Sequence, residues 1–254
     1  MAISRDALRA YLDEYLAAGE VRDYGPNGLQ VEGRAEIARV AVGVTASLAF
    51  LEQAAEWGAD AALVHHGLFW RGAGEMRIER WLRRRLALLL ACEINLFAYH
   101  LPLDRHPEVG NNAVFARELG TSVSEPAFAI DGAPIGLLAR FEPPVPAAEF
   151  FARIAAATQR EPLVIAAGPA RIATVGLVTG GAPRFVEDAA RLGADAFVTG
   201  EVSEAAVHVA REESIHLVAA GHHATERFGV RALGEHLARR FALEVRFIDI
   251  DNPA

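Results

Sequence analysis

The chain has 254 residues, a formal net charge of -8 and 52% hydrophobic residues. That length suffices for one large domain or two small ones with full cores, and the acidic balance argues against a general nucleic-acid binder. A single cysteine, Cys92, excludes a disulfide framework and a thiolate metal cluster and suits a reducing, cytoplasmic setting.

Met1 to Leu12 is charged and reads as no signal peptide. Val40 to Val44 is a short apolar strand. Ser47 to Trp57 has helical spacing with Ser47 as its cap, Gly58 stops it, and Ala61 to Val64 is a second strand, apolar throughout. A helix is expected from about Glu75 to Cys92. Its apolar end, Leu86 to Cys92, is too short to span a bilayer. The strand Ile94 to Ala98 follows. Thr121 to Pro146, rich in proline and small residues, reads as a join, with Ile135 to Phe141 as a strand inside it. Beyond it come a strand at Val175 to Val178, a helix at Pro183 to Leu192 stopped by Gly193, and a strand at Ala196 to Thr199. A helix from Ser203 to about Glu213, a strand at Ile215 to Ala219, a helix from about Thr225 to Phe241 and a last strand at Glu244 to Ile250 complete the chain.

The sequence repeats itself. Residues 37–66 and 172–201 align without gaps at an offset of 135, and eleven of thirty positions are identical. Gly58-Ala59-Asp60-Ala61 matches Gly193-Ala194-Asp195-Ala196, and both copies read strand, helix, strand. The expectation is an α/β protein of two similar halves with mainly parallel sheets, residues 1–125 and 126–254.

Two adjacent histidine pairs, His65-His66 and His222-His223, stand out among nine histidines. In open parallel sheets, functional groups gather beyond the carboxyl ends of the strands. His65-His66 follows one strand there, His100 and Asp104 a second, His222 and Glu226 a third. Imidazole plus carboxylate without thiolate is a ligand set for divalent transition metals; Zn, Fe, Mn, Co and Ni all fit. Successive strand side chains diverge, so His65 and His66 suit two neighbouring ions better than one. His222 and Glu226 share a face if the helix has begun by then, and Glu226 has two oxygens with which to bridge two ions. Asp104 would complete a shell. His100 reads as a hydrogen-bonded supporting group or a general acid/base rather than a ligand, and is the candidate proton carrier. His106, His208, His216 and His236 lack such partners and read as surface or core. Glu201, at the strand end equivalent to His66, reads equally as support for the site or as a helix-start acid beside Ser203. Arg77, Arg80, Arg83, Arg84 and Arg85 read as a solvated face opposite Leu82, Leu86, Leu89 and Leu90. Gly180-Gly181 is a weak candidate for an anion-cradling turn.

At these residues the chain resembles the NIF-three-like dinuclear metal-centre family, the GTP cyclohydrolase 1 type 2 homologues. The matching motifs are N-G-L-Q-V at Asn27 to Val31, H-H-G-L-F-W at His65 to Trp70 and H-L-P-L-D at His100 to Asp104. They continue with G-N-N-A at Gly110 to Ala113, G-H-H-A-T-E at Gly221 to Glu226 and F-I-D-I-D-N-P at Phe247 to Pro253. The resemblance implies two divalent ions in a cleft between two α/β halves, a ring-shaped homohexamer, and His65, His66, Asp104, His222 and Glu226 as ligands. Such a site favours a small anionic substrate and metal-assisted hydrolysis. A non-catalytic metal-delivery protein is the main alternative; a regulatory or nucleic-acid-binding ring using the arginine helix is less favoured, and no membrane association is expected.

Overall fold

The computed structural model describes residues 1–72 and 77–254. The chain divides into two units, one of residues 1–103 and 229–251, the other of residues 104–228 and 252–254. The division expected near residue 125 thus falls earlier, and the closing segment belongs with the first unit. The reason is pairing: Glu244–Phe247 lies parallel beside Arg39–Thr45, so the chain's last strand completes its first sheet.

The first unit's sheet runs in the order Glu244–Phe247, Arg39–Thr45, Ala61–His66, Asn95–Ala98 and Gly28–Val31. The first four strands are parallel; Gly28–Val31, which carries the N-G-L-Q-V motif, is antiparallel at the edge. Ala61 to Val64 are all buried, as a parallel strand covered on both faces requires. The core around them includes Phe50, Leu51, Leu86, Leu89 and Leu96.

The second unit's sheet runs Val123–Ile130, Ala133–Pro146, Arg171–Leu177, Ala196–Thr199, His216–Ala219 and Leu163–Ile165. Only the third to fifth strands are mutually parallel, so this sheet is mixed and not mainly parallel. The expected join at residues 121–146 is in fact a long antiparallel hairpin. Its outer strand tolerates Pro126 because one side of an edge strand needs no donor. Phe115, Phe150, Ile172 and Val198 lie in this unit's core.

The duplicated Gly-Ala-Asp-Ala block has a mechanical reason. Gly58 and Gly193 stop their helices at φ +75° and +74°. Two residues on, Asp60 Oδ2 accepts the Ala38 and Arg39 amides at 2.8 and 2.9 Å, and Asp195 Oδ2 accepts those of Ala173 and Thr174 at 2.7 and 2.9 Å. The carbonyls of the same two aspartates accept the Asn95 and His216 amides, each at 3.0 Å. Each aspartate therefore clasps the starts of the strands on either side of its own.

Several boundaries shift. The strand Ala61–His66 extends through both histidines, and the helix His222–Phe241 begins at the first histidine of its pair. The helix expected from Glu75 runs Arg80–Ala91. Glu75 itself lies outside the described residues, and residues 77–79 are not helical. On that helix Leu82, Leu86 and Leu89 are buried, but Leu90 is 61% exposed. Arg83 and Arg84 are solvated, whereas Arg85 is half-buried with its guanidinium 4.7 Å from the Trp81 ring centre. No described helix is long and apolar enough to cross a membrane.

Candidate metal centre

In the first unit, ligand atoms of His65, His66 and His100 lie within 4.8 Å of one another. Two strand ends set this up: His65 and His66 close Ala61–His66, and His100 follows the neighbouring strand Asn95–Ala98. In each ring Nδ1 is already engaged. His65 Nδ1 donates to the Tyr99 carbonyl at 3.1 Å, His66 Nδ1 meets Thr45 Oγ1 at 3.1 Å, and His100 Nδ1 meets Asp23 Oδ1 at 2.7 Å. Nε2 is then the nitrogen each ring has to offer a cation, and an Nδ1 partner fixes which tautomer does so.

Asp23 is buried and highly organised. Besides His100 it accepts the Tyr24 amide at 2.6 Å, the Asn27 side-chain amide at 2.9 Å and the Leu101 amide at 2.9 Å. Asn27 in turn accepts the His100 amide at 2.9 Å. Burial alone would raise the Asp23 pKa, but the bonds from His100, Asn27 and Leu101 outweigh it and hold the carboxyl below its ordinary range. Tyr99, fully buried, donates its hydroxyl to Asp13 at 2.7 Å behind these rings.

In the second unit, three candidate ligands gather on one turn, Thr179-Gly180-Gly181, just beyond the strand Arg171–Leu177. Asp104 Oδ1 accepts the Asn111 side-chain amide at 2.8 Å and Thr179 Oγ1 at 3.4 Å. Asn112 accepts the Thr179 amide at 3.0 Å. The next amide, that of Gly180, donates at 3.0 Å to Thr225, which lies between His222 and Glu226 in sequence. Because the helix begins at His222, its ring and the Glu226 carboxylate share a face, with Nε2 3.2 Å from Oε1. His222 Nδ1 lies 2.5 Å from Glu201. Burial pushes the His222 pKa down, but Glu226 and Glu201 outweigh it and raise it to about 9. His223, by contrast, ties its amide to the Ala254 carbonyl at 3.2 Å.

Gly180 shows how closely this turn is fitted. Its φ is +72°, and a Cβ placed there would strike the Glu226 carboxylate and sit 3.4 Å from His222 Nε2. Gly180 therefore gives clearance to two candidate ligands, while Gly181 lies against the Glu201 carboxylate. The donors are imidazole nitrogen in the first unit and imidazole nitrogen with carboxylate oxygen in the second. That chemistry fits a divalent transition metal.

A model of the Duf34/NIF3 (NGG1p interacting factor 3) family matches residues 3–253. The chain belongs to the Duf34/NIF3 family. A relative named GTP cyclohydrolase 1 type 2 homolog from Pseudomonas aeruginosa is 49% identical over 254 residues, all of both chains. A solved structure described as protein ybgI, unknown function, is 46% identical with a TM-score of 0.94, covering 99% of this chain and all of the other. TTHA1606 from Thermus thermophilus is 39% identical with a TM-score of 0.89, again covering 99% of this chain and all of the other.

The other histidines of this NIF3 chain have partners of their own. His216 accepts the Gly168 amide and donates to the Pro169 carbonyl, His208 faces Glu204 on an exposed helix, and His236 stacks on Tyr15. His106 is buried and accepts the Glu108 and Val109 amides. Sequence reading gave no role to Asp23, Asn27, Asn111, Asn112 or Thr179. Asn27, Asn111 and Asn112 stand in family motifs, which was a usable signal. Asp23 lies 77 residues before His100 with no pattern to flag it.

Proposed function

We propose that this NIF3 protein binds two divalent metal ions per subunit through His65, His66, Asp104, His222 and Glu226, and uses them as a metal-dependent hydrolase. A small phosphorylated or nucleotide-like molecule is the substrate class, in keeping with relatives named as type 2 cyclohydrolase homologues. The observation that supports the reading is the anchoring of Nδ1 in the three ligand imidazoles, His66, His65 and His222, which assigns the coordinating role to Nε2 of each. A partner at Nδ1 fixes the tautomer and ring orientation that a metal ligand needs.

Bound divalent ions would lower the pKa of a water and draw anionic groups. The protein's own residues do the rest. Asp104 and Glu226 offset part of the cationic charge, so the site remains attractive to phosphate. His100, steadied by Asp23 at 2.7 Å, carries the proton between the reacting group and solvent. A homohexamer in the cytoplasm is the accompanying expectation, read out by light scattering of the purified protein.

The test measures metal content and turnover together over nucleotides, including GTP, phosphate esters and cyclic amides. Wild type should hold two ions and turn over at least one substrate. His65→Ala and Glu226→Gln should each lose bound metal and activity. Full metal loading without turnover of any compound, together with rapid transfer of metal to an apo-enzyme, would replace hydrolysis with metal delivery.

A further inference from the structure

The internal repeat places Glu201 where the first copy has the candidate ligand His66. Resting on the metal-binding reading above, we propose that Glu201 is a positioning residue. It holds the His222 ring with the proton on Nδ1 and so presents Nε2 to the metal. The second copy has thus kept the strand-end position but changed its task from gripping an ion to aiming the residue that does.

The geometry is specific. Glu201 Oε1 lies 2.5 Å from His222 Nδ1, while Glu226 Oε1 lies 3.2 Å from Nε2, so the ring is spanned by one carboxylate at each nitrogen. A carboxylate accepts only, so each nitrogen carries a proton in the metal-free ring, and a metal that takes Nε2 leaves the proton shared with Glu201 on Nδ1. Two neighbouring glycines make room. A Cβ on Gly200 would come within 2.5 Å of the His222 Cα, so the strand end rests directly on the helix start. A Cβ on Gly181 would lie 3.2 to 3.3 Å from the Glu201 carboxylate group.

The competing role is already filled. The helix Glu204–Glu212 is capped by Ser203, whose Oγ accepts the Ala206 amide at 3.3 Å, and Glu204 supplies the acid of its first turn. Glu201 is half exposed, so the fold does not depend on burying it. The first unit uses the same device in Asp23 on His100. Carboxylates that orient metal-bound imidazoles in this way typically contribute roughly 10- to 100-fold to affinity.

The experiment titrates the metal-free protein with Zn²⁺ alone and records the ring-nitrogen NMR shifts of His222, assigned by their loss in His222→Gln. Glu201→Ala should weaken Zn²⁺ binding by roughly 10- to 100-fold and, in the Zn²⁺-loaded protein, shift the His222 Nδ1 resonance away from its wild-type, carboxylate-bonded position. Glu201→Gln, which can still accept but carries no charge, should fall between the two. Glu204→Gln should match wild type. If Glu201→Ala binds Zn²⁺ like wild type and the Zn²⁺-loaded protein keeps the wild-type Nδ1 resonance, Glu201 does not position the ring, even though His222→Gln still loses metal. If His222→Gln also binds Zn²⁺ normally, the metal-binding reading of this unit fails, and the role of Glu201 with it.

Discussion

At the scale of single residues, His222 shows how the site is poised. Without metal its imidazole is protonated at neutral pH, because Glu226 and Glu201 raise its pKa to about 9 against the pull of burial. The stability this lends the metal-free protein is present below the ordinary histidine value and is lost as the pH rises through about 9. Metal must displace that proton. Apparent affinity should therefore rise with pH by roughly tenfold per unit below the folded pKa. Calorimetric titrations in buffers of different ionisation enthalpy should detect one proton released in this range, and that proton should vanish in His222→Gln. An affinity independent of pH would mean that His222 is not a ligand.

At the scale of elements, the arginine-rich helix Arg80–Ala91 separates burial from mere apolarity. Leu89 is fully buried and Leu90 is 61% exposed, although they are adjacent leucines in one apolar run. Leu89→Ala should cost about 2–5 kcal/mol in urea unfolding and Leu90→Ala no more than about 0.5. Equal losses would place the buried face elsewhere. This helix also marks what sequence could and could not disclose. The repeat and the strand-end histidines were legible because strands, stops and ligands follow local rules. The hairpin of Val123–Ile130 and Ala133–Pro146 was not, because Pro126, Pro134 and Pro143 to Pro146 look like breakers. They are tolerated where the ladder leaves a donor unused or the strand is ending. Asp23 and Thr179 were illegible for another reason: each meets its candidate partner through tertiary packing across more than seventy residues.

At the scale of the whole molecule, metal and stability should be coupled. The candidate ligands lie on separate elements of the chain, so ions held by them favour the folded chain over the unfolded one. At free metal a hundredfold above Kd, the gain is about 2.7 kcal/mol per site. Thermal melts should rise on adding Zn²⁺ or Mn²⁺, fall back with chelator, and show no response in a His65→Ala/Glu226→Gln double variant. An unchanged melting temperature in the wild type, with metal demonstrably bound, would mean that the ion does not discriminate folded from unfolded chain.

The phenol of Tyr99 supplies an optical witness to these changes. Burial first, and the bond to Asp13 second, push its ionisation far above that of an ordinary tyrosine. The favourable contribution is intact below about pH 10 and declines as alkali passes that point, where only the unfolded chain can ionise freely. In an alkaline absorbance titration the four tyrosines should not ionise together. Tyr99 should stay silent until the structure gives way and then appear with a lag. A phenolate signal that develops in one immediate phase would show that alkali reaches the hydroxyl without opening the fold.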